Sequence, residues 1–421
     1  MTALSPTDSD VGASSSIASR LLVFSALVMV ASYFLHDHIV GYDGAQYLQF
    51  ATNLLKTEMF TFDGVTPSAG RTPGYPALLA AIIAISGDWT LIYPLQFACL
   101  WATFWLVGLG FRDVLGKTQR AVMVTLLVLT IPLHRLAADV VTETTFFLLT
   151  AAGLLGCIRG VKDENTRWLM LSAVFFGLSS YIRPVNIATA PFLALVFIMT
   201  KRLSWTRGLL YAVVSILVMT PWTIRNAAQF DRLIPMASHV GSFYYMTDAE
   251  AFWPVLFHSA GYSHVLPIHE DIVGDELELD IAANERYMER GIENVTSDPL
   301  GFLGRCVFKT VFVWSYLPGT KGTLFSAPWL FALGVIVQWC FLLLAVFGMR
   351  SIRQRAPELT DTVGGYALYT ILLLFPMYAE SRFLLPVYIW LAGFAFYAVY
   401  EKRDRIMRRL PRALQTRLRS D

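Results

Sequence analysis

Five arginines stand at the ends of long apolar runs: Arg71 in AGRTPGYP, Arg135 in PLHRLAAD, Arg183 in YIRPVN, Arg225 in PWTIRN and Arg382 in AESRFLLP. A guanidinium at membrane depth costs roughly 2.5–3.5 kcal/mol at a helix centre and less near an end. One such residue reads as an anchor, its stem in lipid and its head in water. Five point to a ligand. The guanidinium fork grips phosphate or pyrophosphate bidentately, and an anionic lipid headgroup presented from the bilayer suits it. Carboxylates accompany the arginines. Asp43 follows the first apolar run, and Asp139 and Glu143 lie four residues apart in RLAADVVTETTFFLL, a spacing that predicts one shared helix face. Acids also favour a first helical turn for dipole reasons, and Asp43 also reads as an N-cap for the amphipathic stretch after it. Cations that hold a phosphate beside carboxylates suit group transfer: the leaving phosphate needs positive charge and the attacking hydroxyl needs a base. Asp43 is placed for that base, with partial burial expected to raise its proton affinity.

The elements that must position these groups are membrane helices. The chain has 421 residues, 55% hydrophobic and only 15% charged, against about 25% charged in a soluble globular chain, and its mean hydropathy is +0.53. Apolar runs of about 20 residues recur, which predicts an all-α, multi-pass integral membrane protein. The net charge of +2 gives no reason to expect a nucleic-acid partner. Cys99, Cys157, Cys306 and Cys340 form no CxxC pair, so neither a disulfide framework nor a zinc site is indicated.

About ten spans are expected, near 21–37, 89–111, 120–134, 139–158, 167–181, 184–200, 208–224, 326–349, 363–378 and 383–400. Alternate connections carry Arg112, Lys117 and Arg120; Arg159, Lys162 and Arg167; Lys201, Arg202 and Arg207; and Arg350, Arg353 and Arg355. With the basic tail 401–421, all fall on one side if both termini are cytoplasmic. The outer side then holds a first loop, 38–88, the turns that carry Arg135, Arg183 and Arg382, and a modest loop module, 225–325. Residues 74–87 are too short to span and read as re-entrant or interfacial, and 303–317 as a surface-lying helix. Residues 1–20 are Ser-rich and expected to be disordered on the cytoplasmic side. Residues 21–224 form the catalytic transmembrane module and 326–400 the C-terminal transmembrane helices. In 225–325, His264, His269, Glu270 and Asp271 are a weaker candidate metal set, better read as a solvated charged face.

The ordered motifs resemble the polytopic C-type glycosyltransferases. Asp43, Tyr47 and Ala51 form D-x-x-x-Y-x-x-x-A after the first span. RTPGYPALLA (71–80), TETTFFLL (142–149), YIRPVN (181–186), PWTIRNAAQFDRLIPM (221–236) and ESRFLLPVY (380–388) follow in order. The likeness is to the branch of the protein O-mannosyltransferases and the bacterial transferases that modify lipid A. It implies inverting transfer of a hexosyl or pentosyl group from a polyprenyl-phosphate sugar to a lipid, glycan or protein acceptor, on the outer face of a bacterial inner membrane. It makes Asp43 the base and assigns the donor phosphate to Arg71, Arg183, Arg225 and Arg382. Arg135, Asp139, Glu143 and Tyr47 become supporting residues. No cofactor is demanded; a divalent metal is compatible, with Asp139 and Glu143 as its ligands. One departure is Gly44, where protein O-mannosyltransferases carry a second acid. A large globular domain after the spans, as in many relatives, is not expected here. The competing readings are a transporter or flippase for a lipid-linked or anionic substrate, and a lipid-linked glycan ligase.

Overall fold

The computed structural model describes residues 8–238, 241–250, 252–253, 256, 281–316 and 327–409. His264, His269, Glu270 and Asp271 lie outside them. Among the described residues there is no strand, only two isolated β-bridges, Ile39 with Asp139 and Thr61 with Pro67. The first half is built from α1 (Asp8–Leu35), α2 (Tyr42–Thr57), α3 (Gly74–Ser86), α4 (Ile92–Gly110), α5 (Lys117–Val128), α6 (His134–Ala137), α7 (Glu143–Lys162) and α8 (Thr166–Ile182). Then come α9 (Thr189–Met199), α10 (Trp205–Phe230), α11 (Gly241–Thr247), α12 (Ile281–Ser297), α13 (Pro299–Ser315), α14 (Pro328–Ile352), α15 (Pro357–Leu374) and α16 (Leu385–Arg409).

Each of the ten expected segments coincides with helix, but the count of ten spans is not reproduced. Among the described residues, six helices are long and apolar enough to cross a bilayer: Ser15–Leu35, Ile92–Gly110, Glu143–Lys162, Trp205–Phe230, Pro328–Ile352 and Ser381–Lys402. A seventh forms if α5 and the 131–137 segment, bent by 62° at their break, count as one span. Proline at 132, with no N–H to give, marks that break. The N-terminal expectation also needs correction: α1 begins at Asp8, inside the stretch expected to be disordered.

α7 is enclosed by α4, α8 and α15, whereas α14 lies at the periphery with Trp329, Leu333, Ile336 and Leu343 exposed. Apolar side chains facing outward from a long helix are the lipid surface of a membrane protein. α7 and α8 approach closely along a seam of small residues: a Cβ on Gly160 would meet Leu169 Cγ at 2.6 Å, and one on Gly156 would meet Ser172 Cβ at 3.2 Å. In the first loop, amphipathic α2 packs on α3, which at 13 residues cannot cross about 30 Å of hydrocarbon. Lys309, expected on a surface helix, is instead buried, its Nζ donating to the Leu374 carbonyl at the end of α15.

The basic connections meet at one end of the bundle. Lys162 pairs with Asp113 at 2.8 Å, Arg207 with Glu164 at 3.5 Å, and Arg202 with Asp361 at 3.5 Å. The opposite end gathers the remaining charge.

Candidate active site

Because α7 and α8 form an antiparallel hairpin, the first residue of one meets the residue after the last of the other. Arg183 Nη1 donates to Glu143 Oε1 at 2.7 Å, and the Glu143 side chain is only 2% exposed. The RTPG turn docks on the same spot. Thr72 Oγ1 donates to the Ile182 carbonyl at 2.8 Å, and a Cβ on Gly74 would lie 2.7 Å from the Tyr181 carbonyl oxygen, so only glycine permits this approach. That contact carries Arg71 to the cluster.

α2 is fixed by a strap. Ile39 N donates to Ala138 O at 2.9 Å, Val140 N to Ile39 O at 3.3 Å, and Gly41 N to Asp139 Oδ1 at 3.0 Å. A Cβ on Gly44 would meet the Val140 carbonyl at 2.8 Å. The departure at Gly44 therefore has a packing cause, since a second acid there would collide with the strap. Asp43 occupies the first turn of α2 but does not cap it; Gly41 holds the N-cap position, without a side-chain bond. The Asp43 carboxylate turns instead to the arginines, with Oδ1 2.9 Å from Arg71 Nη2 and Oδ2 3.8 Å from Arg382 Nη2.

Arg382 enters on a short 3-10 turn, Ser381–Leu384, at the head of α16. Its guanidinium lies 3.0 Å from Glu380 and 3.5 Å from Glu143. Phe383 supports both neighbours, its ring centre 4.7 Å from the Arg183 guanidinium and 5.6 Å from that of Arg382. Tyr47 is buried with its ring 5.4 Å from the Arg71 guanidinium. The structure thus brings together Asp43, Tyr47, Arg71, Glu143, Arg183 and Arg382 from five separate stretches of sequence.

Two expectations of position change. Asp139 and Glu143 do not share a helix face: α7 starts at Glu143, and Asp139 belongs to the strap, where the Gly41 N–H claims its carboxylate. Arg225 is not in the cluster. It stacks on Trp222 at 4.7 Å and donates to the Ser68 carbonyl at 2.9 Å and that of Phe60 at 3.4 Å, clamping the loop that leads to Arg71. Arg135 is exposed and forms no ion pair among the described residues. Sequence reasoning missed Gln46, Glu380 and Phe383. Glu380 and Phe383 flank Arg382 inside a quoted motif, and Gln46 lies one turn after Asp43.

The expected rise in Asp43 proton affinity is also overturned. Burial does push its carboxyl up, but the guanidinium groups of Arg71, Arg382 and Arg183 together hold it below the ordinary aspartate value. Asp139 shows the contrary balance: burial dominates and raises its carboxyl, although the Gly41 N–H opposes this. An ionised Asp43 among arginines can accept a proton, and the arginines can receive an anion.

A polytopic helical protein with interleaved arginines and carboxylates at one end of its bundle is the class these features define. Residues 70–224 match the family described as dolichyl-phosphate-mannose-protein mannosyltransferase, and the resemblance to the C-type glycosyltransferases is borne out. That segment contains Arg71, Asp139, Glu143 and Arg183. Among solved structures, the chain is similar to ArnT from Cupriavidus metallidurans in the apo state, with a TM-score of 0.43 and 14% identity over 94% of this chain and 81% of that one. It is likewise similar to the same protein bound to undecaprenyl phosphate, with a TM-score of 0.42 and 13% identity over 93% and 80% of the two chains. No curated protein matches the sequence.

Proposed function

We propose that this protein transfers a sugar from a polyprenyl-phosphate donor to an acceptor at the outer face of the membrane, with inversion. The observation that carries this reading is the gathering of Arg71, Arg183 and Arg382 around Asp43 and Glu143 at the bundle end opposite the basic connections. The positive-inside rule assigns those connections to the cytoplasm. The family match over 70–224 supports a glycosyl group as the one transferred.

In the proposed mechanism the donor phosphate settles among the three guanidinium groups. Part of the positive charge that depresses the Asp43 carboxyl is then spent on the phosphate, so its proton affinity recovers. The acceptor hydroxyl gives its proton to Asp43 as its oxygen attacks the anomeric carbon. The bond from that carbon to the phosphate oxygen breaks, and polyprenyl phosphate leaves with the electron pair, its charge held by the arginines. Glu143 holds Arg183 and Arg382 in register, and Tyr47 supports Arg71. Arg225 acts on the donor indirectly, through the 60–68 loop.

Purified protein in detergent, given polyprenyl-phosphate sugars and an acceptor extract, tests the reading. Transfer that releases free polyprenyl phosphate is expected; binding without any transfer would favour a flippase. Turnover that resists chelators would leave Asp139 and Glu143 as purely electrostatic partners, whereas chelator-sensitive turnover with metal loss in Asp139→Ala would give them a metal.

A further inference from the structure

Gln46 lies one helical turn beyond Asp43, on the buried face of α2. Its Oε1 accepts a hydrogen bond from Arg71 Nε at 3.1 Å and another from Arg71 Nη2, which also reaches Asp43 Oδ1 at 2.9 Å. A guanidinium only donates, so the amide must present its oxygen, not its nitrogen. The other two arginines are held differently. Arg183 has Glu143, and Arg382 has Glu380 and Glu143. Arg183 and Arg382 meet buried carboxylates, whereas Arg71 meets the partly exposed Asp43 carboxylate and, beside it, the buried Gln46 amide. An amide oxygen fixes the direction of the fork as a carboxylate would, while adding no negative charge.

We propose that Gln46 is a positioning residue that aims Arg71 at the donor phosphate without adding a second carboxylate to the one Asp43 already supplies. This rests on the donor-binding reading above. The chemistry makes the choice of residue meaningful: a carboxylate at this place would keep both hydrogen bonds and the volume, but would repel an incoming phosphate and compete with it for Arg71. A merely structural acceptor would not distinguish the two.

The full chain in detergent, titrated with undecaprenyl phosphate and followed by tryptophan fluorescence, tests this with Gln46→Glu, Gln46→Met and Arg71→Ala, each checked for native helicity. Gln46→Glu is expected to weaken binding by about tenfold or more, and binding should recover as pH falls far enough to protonate the introduced carboxyl. Gln46→Met, which frees the fork but leaves its charge, should weaken binding less and without pH dependence. Impaired Arg71→Ala together with wild-type affinity in Gln46→Glu would overturn the role of Gln46 alone. Unchanged affinity in Gln46→Met would do the same, even if Gln46→Glu failed to fold. Wild-type affinity in Arg71→Ala would overturn the donor-phosphate reading itself.

Discussion

α7 and α8 run antiparallel, so this hairpin and its connecting turn contribute ion pairs to both ends of the bundle. At the basic end Lys162 meets Asp113 with side chains 37% and 27% exposed, and Arg207 meets Glu164 with side chains 39% and 79% exposed. At the other end Arg183 meets Glu143 at 16% and 2%. The functional groups are alike, and water makes the difference. Exposed pairs contribute about 0–1 kcal/mol, because solvent screens them and ordering two long side chains opposes them. Buried pairs are not retained for stability either, since apolar replacements of similar volume are often neutral or better. What burial does provide is a set of charges that cannot relax into solvent, which is the condition for electrostatic stabilisation of a leaving phosphate.

That contrast breaks first at Asp43. Asp43→Asn keeps the shape and an acceptor for Arg71 but cannot take a proton. Transfer is expected to fall by about 10²- to 10⁴-fold with the fold retained and donor lipid still bound; near-normal turnover would reduce Asp43 to a partner for the arginines. Next is Glu143→Ala, which strands the partly buried Arg183, removes one of the carboxylates around Arg382 and should destabilise the protein by about 3–5 kcal/mol in denaturant unfolding. A loss under about 1 kcal/mol would erase the distinction between the two ends.

Arg382→Ala should raise the donor KM strongly, with only partial rescue by Lys, which lacks the fork. Arg225→Ala, which removes hydrogen bonds to the 60–68 loop, should instead cost about 1–2 kcal/mol of stability and shift the donor KM less. Equal effects of the two on donor KM would return Arg225 to the phosphate site.

The pH dependence sharpens the comparison further. The folded Asp43 carboxyl lies below its ordinary value of about 3.9. Its contribution is therefore present above that value and is lost as pH falls through the lower folded one. The stability gap between the wild type and Asp43→Asn should be constant near neutrality and narrow below about pH 4. A gap that instead widened as pH fell from 7 to 5 would mean a raised carboxyl, because the folded state would then take up the proton before the unfolded one. The smallest effect belongs to the basic end: Lys162→Ala or Arg207→Ala should change stability by no more than about 0.5 kcal/mol.

Much of the fold was legible because lipid imposes a simple rule. Backbone polar groups inside a bilayer must bond within a helix, so apolar runs announced where α4, α7, α10 and α14 lie. Residue chemistry likewise marked Asp43, Arg71, Glu143, Arg183 and Arg382 before any contact was known. Spacing misled where it stood in for geometry. Asp139 and Glu143 are four apart, yet the non-helical residues 140–142 put one in the strap and the other on α7. Arg225 and Arg382 look equivalent in sequence, each at the end of an apolar run. Their fates diverge because the loop 60–68 passes one of them and offers carbonyls, while Glu143 and Asp43 face the other.

The amino-acid sequence determined that the chain would be helical and embedded, and which side chains were available for anion binding and proton transfer. Both follow from local composition against a nonpolar solvent. The proton affinity of Asp43 and the aim of Arg71 were decided only in three dimensions. Coulombic interaction falls with distance and rises with exclusion of water, and the distances among residues 43, 46, 71, 143, 183 and 382 are set by the docking of Gly74 on Tyr181, of Gly44 on Val140 and of α7 on α8.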